Sequence, residues 1–507
     1  MKKLFYLFII LISNITISYS QNGLRYIEDE FLIDASTNYY TYATAPTLNS
    51  PYESEMSVNY ENLVLRIFQP IDDTLKNRPM LVCFHSGGFV SGYLENDDMI
   101  EFCRIFASKG YVTATVDYRL GMNFFSSTSS ERAVYRAIQD SRACLRYLRE
   151  NAEVFRISPD HIYTLGSSAG AFIVLHNLFL DKENERPAGS YEISNSQTPT
   201  DNGPDLGNLD TIGSYFNQNS KSNGIISLWG AISDTAIIEA EDPQIPVFLV
   251  HGTADQSVPF GYGHPFGLAT LPLTYGSELI DKRLTNLNYP HQTYFVPGKD
   301  HEFYGVSNGM WSPSPNQYWD TIVIKVRDFL YNIHKPISNF TYSDESGTVH
   351  FTNNSSKSVQ WVWDFGDGQS STEKDPIHKY NQVGEYIVTL TAYSEVLSEA
   401  SKSTNIIITT IGVEDLPKLQ SDIILYQNYP NPFKDRTSIK YYLPTSGYTT
   451  LKIYDILGNE VATLVNDFKE EGYYNTEFNP KGLEPGIFFY ELRTDDSIII
   501  KKMAIVK

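Results

Sequence analysis

The stretch HIYTLGSSAGAFIVLHNLFL, residues 161–180, joins a short β-prone apolar run, the turn Gly166-Ser167-Ser168-Ala169-Gly170, and a longer apolar run with helical character. With Gly and Ser each near ~7% of residues, a bare G-x-S-x-G arises by accident on the order of 0.2 times in a chain of this length, so the pattern alone says little. A strand before it and a helix after it change its weight. A serine on a tight strand-to-helix turn sits in a crowded, strained conformation, and flanking glycines remove the Cβ atoms that would collide there. Such a turn presents its hydroxyl as a nucleophile, which makes Ser168 the first candidate catalytic residue.

A serine hydroxyl is a poor nucleophile at neutral pH unless a base takes its proton, and a third group must orient that base. Downstream, the apolar run PVFLVHG leads into Thr253-Ala254-Asp255, and TYFVPGKDHEF sets His301 just after a further run. Both lie where a parallel sheet gathers its ligands, beyond the C-terminal ends of strands. The order Ser168, Asp255, His301 is the one this kind of turn leads one to expect. Asp234 is a rival acid, and Asp300 and Glu302 flank the histidine. Upstream, His85-Ser86-Gly87-Gly88-Phe89 follows the run MLVCF. Backbone N–H groups of Gly87 and Gly88, with that of Ala169, are the candidate donors for an oxyanion.

Between residues 21 and 335 short apolar runs alternate with amphipathic stretches, the pattern of a mainly parallel sheet covered by helices. Strands are expected at 63–68, 80–85, 112–117, 161–166, 225–229, 246–251 and 292–296. Helices are expected at 97–109, 130–151, 169–181, 275–285 and 318–334. The polar stretch 187–223 interrupts the rhythm and reads as an insertion, either a binding loop or a passive excursion. From 336 to 410, and again from 424 to 507 beyond a linker at 411–423, short alternating runs separated by turn residues read as two small β-sandwiches.

Taken together, HSGGFVSG (85–92), DYRLG (117–121), SPDHIYTLGSSAGA (158–171), HGTADQSVPF (251–260) and GKDHEF (298–303) resemble the α/β-hydrolase superfamily over roughly residues 40–335. The likeness is to the carboxylesterase branch with an HGGG-type oxyanion hole, including hormone-sensitive-lipase-like and polysaccharide-associated acetyl or feruloyl esterases. It implies an α/β-hydrolase fold, a triad of Ser168, Asp255 and His301, and an ester substrate, with polymeric carbohydrate as one carrier. Ser86 departs from the glycine often found there. WVWDFGDG (361–368) resembles a polycystic-kidney-disease (PKD) domain. YQNYPNPF (426–433), LKIYDILGNEV (451–461) and LEPGIFFYEL (483–492) resemble the type IX secretion sorting domain of Bacteroidota, which implies the type IX machinery as a partner.

Composition sets outer limits. Asp and Glu number 60 against 39 Lys and Arg, a net charge of -21, which disfavours nucleic acid and anionic lipid as partners. MKKLFYLFIILISNITISYS at 1–20 has the two lysines, apolar run and small polar end of a cleavable export signal. No later run is long and apolar enough to span a bilayer. Three cysteines, Cys83, Cys103 and Cys144, are too few for a disulfide framework, and none falls in a catalytic pattern. No metal or organic cofactor is expected. Two other readings use the same residues: a serine peptidase on the same fold, and a surface binding or adhesion protein without catalysis.

Overall fold

The apolar runs become the inner strands of one eight-stranded sheet. A computed structural model of the chain describes residues 25–34, 38–48, 58–194, 196–198, 201–411 and 423–506. The leader read at 1–20 and all but the ends of the linker read at 411–423 lie outside the described residues. In chain order the strands are β1 Asn38–Leu48, β2 Val58–Phe68, β3 Arg78–Phe84, β4 Val112–Val116, β5 Ile157–Ser167, β6 Ile225–Leu228, β7 Val247–Gly252 and β8 His291–Val296. They lie in the order β1-β2-β4-β3-β5-β6-β7-β8. The first two pairings are antiparallel and β4 through β8 run parallel.

Every residue of β3, β4, β6 and β7 is buried, which is why these strands read as unbroken apolar runs rather than as alternations. Their side chains nevertheless alternate between two cores. Met80, Val82 and Phe84 of β3 pack with residues of α2 (Ser127–Glu150), α4 (Ala169–Phe179) and α5 (Ser277–Asn286). Leu81 and Cys83 pack on the opposite face, with α1 (Asp97–Ser108) and α6 (Gln317–His334). A four-residue helix, α3 (Ala152–Phe155), precedes β5. The arrangement is that of an α/β hydrolase.

Because β3 sits between β4 and β5, the connections leaving β3 and β5 run to opposite faces, and a crevice opens at the C-terminal ends of this pair. The loops carrying Gly87–Gly88 and Ser168 are the two that border it.

The insertion is strapped to α2. Arg132, Gln139, Arg142, Arg146 and Arg149 recur at helical spacing along one face of α2, and the insertion lies against that face. Arg132 donates to the carbonyls of Gly189, Tyr191 and Pro204 at 2.8, 3.1 and 2.7 Å. Gln139 Nε2 reaches Leu206 O and Asn208 O at 2.7 and 2.9 Å. Arg142 and Arg146 pair with Asp210, and Arg149 donates to Asn219 O and Lys221 O at 2.7 and 2.8 Å. A segment with little regular structure of its own thus has several of its described backbone acceptors satisfied by one helix.

The second compact unit, residues 336–393 with 400–507, is all β. Within it, a three-stranded and a four-stranded sheet enclose Phe340, Val349, Phe351, Trp363 and Leu390. A second such pair encloses Ile439, Tyr441, Ile453, Tyr490 and Leu492.

Candidate active site

Ser168 caps the N-terminus of α4 with φ 53° and ψ −112°, a conformation few non-glycine residues adopt, at a cost of order 1–3 kcal/mol. Two contacts force it. A Cβ on Gly166 would sit 2.1 Å from Gly170 O, and one on Gly170 would sit 2.1 Å from Phe84 O. The helix therefore starts against the backbone of β3 and β5, and Ser168 is thrust out of the sheet. Its N–H is fixed by Leu228 O of β6 at 3.0 Å, and the Gly170 N–H by His85 O at 3.1 Å.

Asp255 and His301, singled out downstream of the turn, meet Ser168 at this point. His301 Nε2 lies 2.9 Å from Ser168 Oγ, and His301 Nδ1 lies 2.7 Å from Asp255 Oδ2. The carboxylate is an acceptor, so the ring proton sits on Nδ1 and Nε2 is left to accept from the serine hydroxyl. Trp229, itself at φ 47°, presents its ring edge-on to His301 at 6.1 Å and ties its Nε1 to Ser167 Oγ at 3.0 Å.

Asp255 is saturated with donors. Oδ1 accepts the N–H groups of Ser257 and Val258, both at 2.8 Å, and Oδ2 accepts His251 Nε2 at 3.1 Å besides His301. Burial alone would raise this carboxyl, but the hydrogen bonds from His251 and His301 outweigh it and hold the group well below the usual carboxylate range. His251 escaped the sequence reading. Its Nε2 faces two acceptors, Asp255 and Val258 O, and its Nδ1 faces Ser277 Oγ at 2.8 Å. It is a second imidazole on the same carboxylate, pinned at the end of β7. Its signal was a histidine four residues before the acid, hidden inside an apolar run.

The rivals serve elsewhere. Asp234 caps a short 3₁₀ turn by accepting the Ala236 N–H at 2.8 Å. Asp300 Oδ1 accepts the N–H groups of Gln256 and His301 at 2.8 Å each, joining the acid's loop to the base's loop. Glu302 is buried at φ 48°, and its Oε2 accepts the Asn308 N–H.

Ser168, Ala169 and Gly88 share the wall of one pocket of about 120 Å³, whose lining is dominated by apolar side chains such as Phe89, Phe172 and Leu271. Gly87 is not part of that lining. Among the described residues no acceptor takes the N–H of Ala169, Gly87 or Gly88. Ala169 is also the first residue of α4, where the helix dipole favours negative charge. No cluster of three or more His, Cys, Asp or Glu suited to a metal ion occurs among the described residues.

Residues 65–266 match the family model BD-FAE, 339–408 the PKD domain, and 427–507 the secretion system C-terminal sorting domain. Over residues 65–266 the α/β-hydrolase region is similar to the BD-FAE family. The sorting domain behind it marks the chain for secretion or the cell surface, and no helix among the described residues is long and apolar enough to cross a membrane. Gut esterase 1 of Caenorhabditis elegans is 36% identical over 110 residues, 22% of this chain and 19% of that protein. The para-nitrobenzyl esterase of Bacillus subtilis (strain 168) is 30% identical over 115 residues, 22% of this chain and 23% of that one. The arylesterase of Saccharolobus solfataricus is 31% identical over 134 residues, 26% and 40% of the two chains. The chain therefore spans well under half the length of these curated relatives. Among solved structures, apo Thermogutta terrifontis esterase 2 aligns with a TM-score of 0.41 at 18% identity, over 59% of this chain and 95% of that one.

Proposed function

We propose that the BD-FAE region is a serine carboxylic ester hydrolase that works through an acyl-enzyme. The observation that carries this is the unbroken hydrogen-bonded series from Ser168 Oγ through His301 to Asp255, at the wall of an apolar pocket. Ser168 Oγ attacks the ester carbonyl carbon while its proton passes to His301 Nε2. The carbonyl oxygen becomes an oxyanion facing the N–H groups of Gly88 and Ala169, with Gly87 in the same loop. Collapse breaks the bond to the alkoxide oxygen, which takes the proton from His301 Nε2 and leaves as the alcohol. Water then repeats the sequence in reverse and frees Ser168 and the acid. Asp255 holds the tautomer and stabilises the imidazolium without taking a proton.

The likeness to proteins named as esterases favours an ester over an amide as the substrate. A predominantly apolar pocket suits the acyl part, and acetyl or feruloyl groups on polysaccharide are the substrate class we propose, with export by the type IX machinery bringing the enzyme to it. The test is hydrolysis of p-nitrophenyl acetate, butyrate and octanoate, methyl ferulate and acetylated xylan by the full chain and by Ser168→Ala. The variant is expected to lose about 10⁴-fold or more in kcat/KM. A folded wild-type protein that is inert on all five and unlabelled by a fluorophosphonate would sink the reading.

A further inference from the structure

Gly87 and Gly88 are joined by a peptide with no side chain at either end to resist rotation, and both have positive φ, 126° and 58°. The Gly87 C=O and the Gly88 N–H belong to the same planar trans unit, so the direction of one dictates the direction of the other. A flip of this peptide would turn the Gly88 N–H away from the pocket it lines with Ser168.

What opposes the flip is a set of donors on the Gly87 carbonyl. It accepts the N–H groups of Val90 and Ser91 at 3.1 and 3.0 Å and the Ser91 hydroxyl at 3.3 Å. The hydroxyl is aimed from outside the loop, because Asn308 Nδ2 donates to Ser91 Oγ at 3.1 Å. An amide NH₂ only donates, so Ser91 Oγ accepts there and spends its single proton on Gly87 O.

Asn308 is itself fixed. It sits at φ 52° in the Asn308-Gly309 turn between Val306–Ser307 and Met310–Trp311. Its N–H goes to Glu302, its carbonyl accepts Asn96 Nδ2 at 3.2 Å, and a Cβ on Gly309 would lie 2.1 Å from that same Nδ2. Glu302 directly follows His301. A continuous series therefore runs from the residue beside the base, through Asn308 and Ser91, to the glycine peptide.

We propose that Ser91 and Asn308 are positioning residues that lock the Gly87–Gly88 peptide in the orientation that serves the oxyanion. This rests on the reading of Gly88 as an oxyanion donor. Three variants of the full chain separate it from a merely structural role. Ser91→Ala removes the hydroxyl. Asn308→Gly keeps the left-handed backbone but removes the donor, and Asn308→Asp puts an acceptor there that draws the Ser91 proton off Gly87 O. Complete loss of an oxyanion donor lowers kcat about 10²–10³-fold. Partial flipping should therefore lower kcat on p-nitrophenyl butyrate about tenfold in Ser91→Ala and Asn308→Asp and about threefold in Asn308→Gly, with KM and melting temperature held.

Wild-type kcat in Ser91→Ala and Asn308→Asp, an aspartate no worse than glycine, or a kcat loss that tracks a lower melting temperature overturns the proposal. If the wild type hydrolyses no ester, it is the esterase reading that falls. The lock is then judged by crystal structures of the wild type and Asn308→Asp, where an unchanged Gly87 carbonyl overturns it and a flipped one upholds it.

Discussion

His85 and His176 are buried imidazoles held by backbone carbonyls, Ser86 O at 2.6 Å and Phe172 O at 2.8 Å. Burial pushes both down to about 4 from the ordinary 6.5, against the small opposing effect of those bonds. Their contribution to stability is therefore complete above ~6.5 and lost as pH falls toward 4, by up to about 3 kcal/mol each. Asp255, held low, adds to the loss as pH falls below the ordinary carboxyl value. Asp98 has the opposite sign. Burial raises it to about 8, although the Tyr304 hydroxyl donates to it at 2.7 Å. It carries a proton in the fold that the unfolded chain has released, so its cost grows as pH rises from ~4 to 8. Two outcomes follow for thermal melting against pH. His176→Gln should flatten the fall between pH 6.5 and 4. Asp98→Asn should raise the melting temperature, and by more at pH 8 than at pH 5.

At the scale of elements, the grip of α2 on the insertion is set by side chain to backbone bonds. Arg132→Ala would leave the carbonyls of Gly189, Tyr191 and Pro204 without that donor. The expected cost is about 3 kcal/mol or more, read by urea unfolding, together with faster proteolysis within 187–207. The same grip explains what sequence reading could and could not see. The strands β3, β4, β6 and β7 are legible because burial on both faces demands uninterrupted apolar runs, β5 is legible only over its buried second half, and the candidate site residues are legible because strand ends carry them. The strand β1, NYYTYATAPTL, carries no such signal, since an antiparallel edge tolerates Pro46 and a mixture of Thr and Tyr. The strapping of 187–223 was illegible for a different reason: carbonyl acceptors are present at every residue, so nothing in the insertion marks which of them α2 will take. His251 and the series through Asn308 were missed likewise, because long-range pairing and not local pattern gives them their partners.

At the scale of the whole molecule, the hydrolase region and the sorting domain answer to different tests. Removing 427–507 should leave ester hydrolysis in the cell while abolishing it at the surface and in the medium, measured on fractionated cultures. Melting should be the same with and without a thiol reductant. Cys83, Cys103 and Cys144 are all buried and all free. A fold built this way needs no disulfide, and so no oxidation step, to reach its native state. The information that refolds the chain is carried wholly by non-covalent packing, which can be undone and remade at any point along its journey.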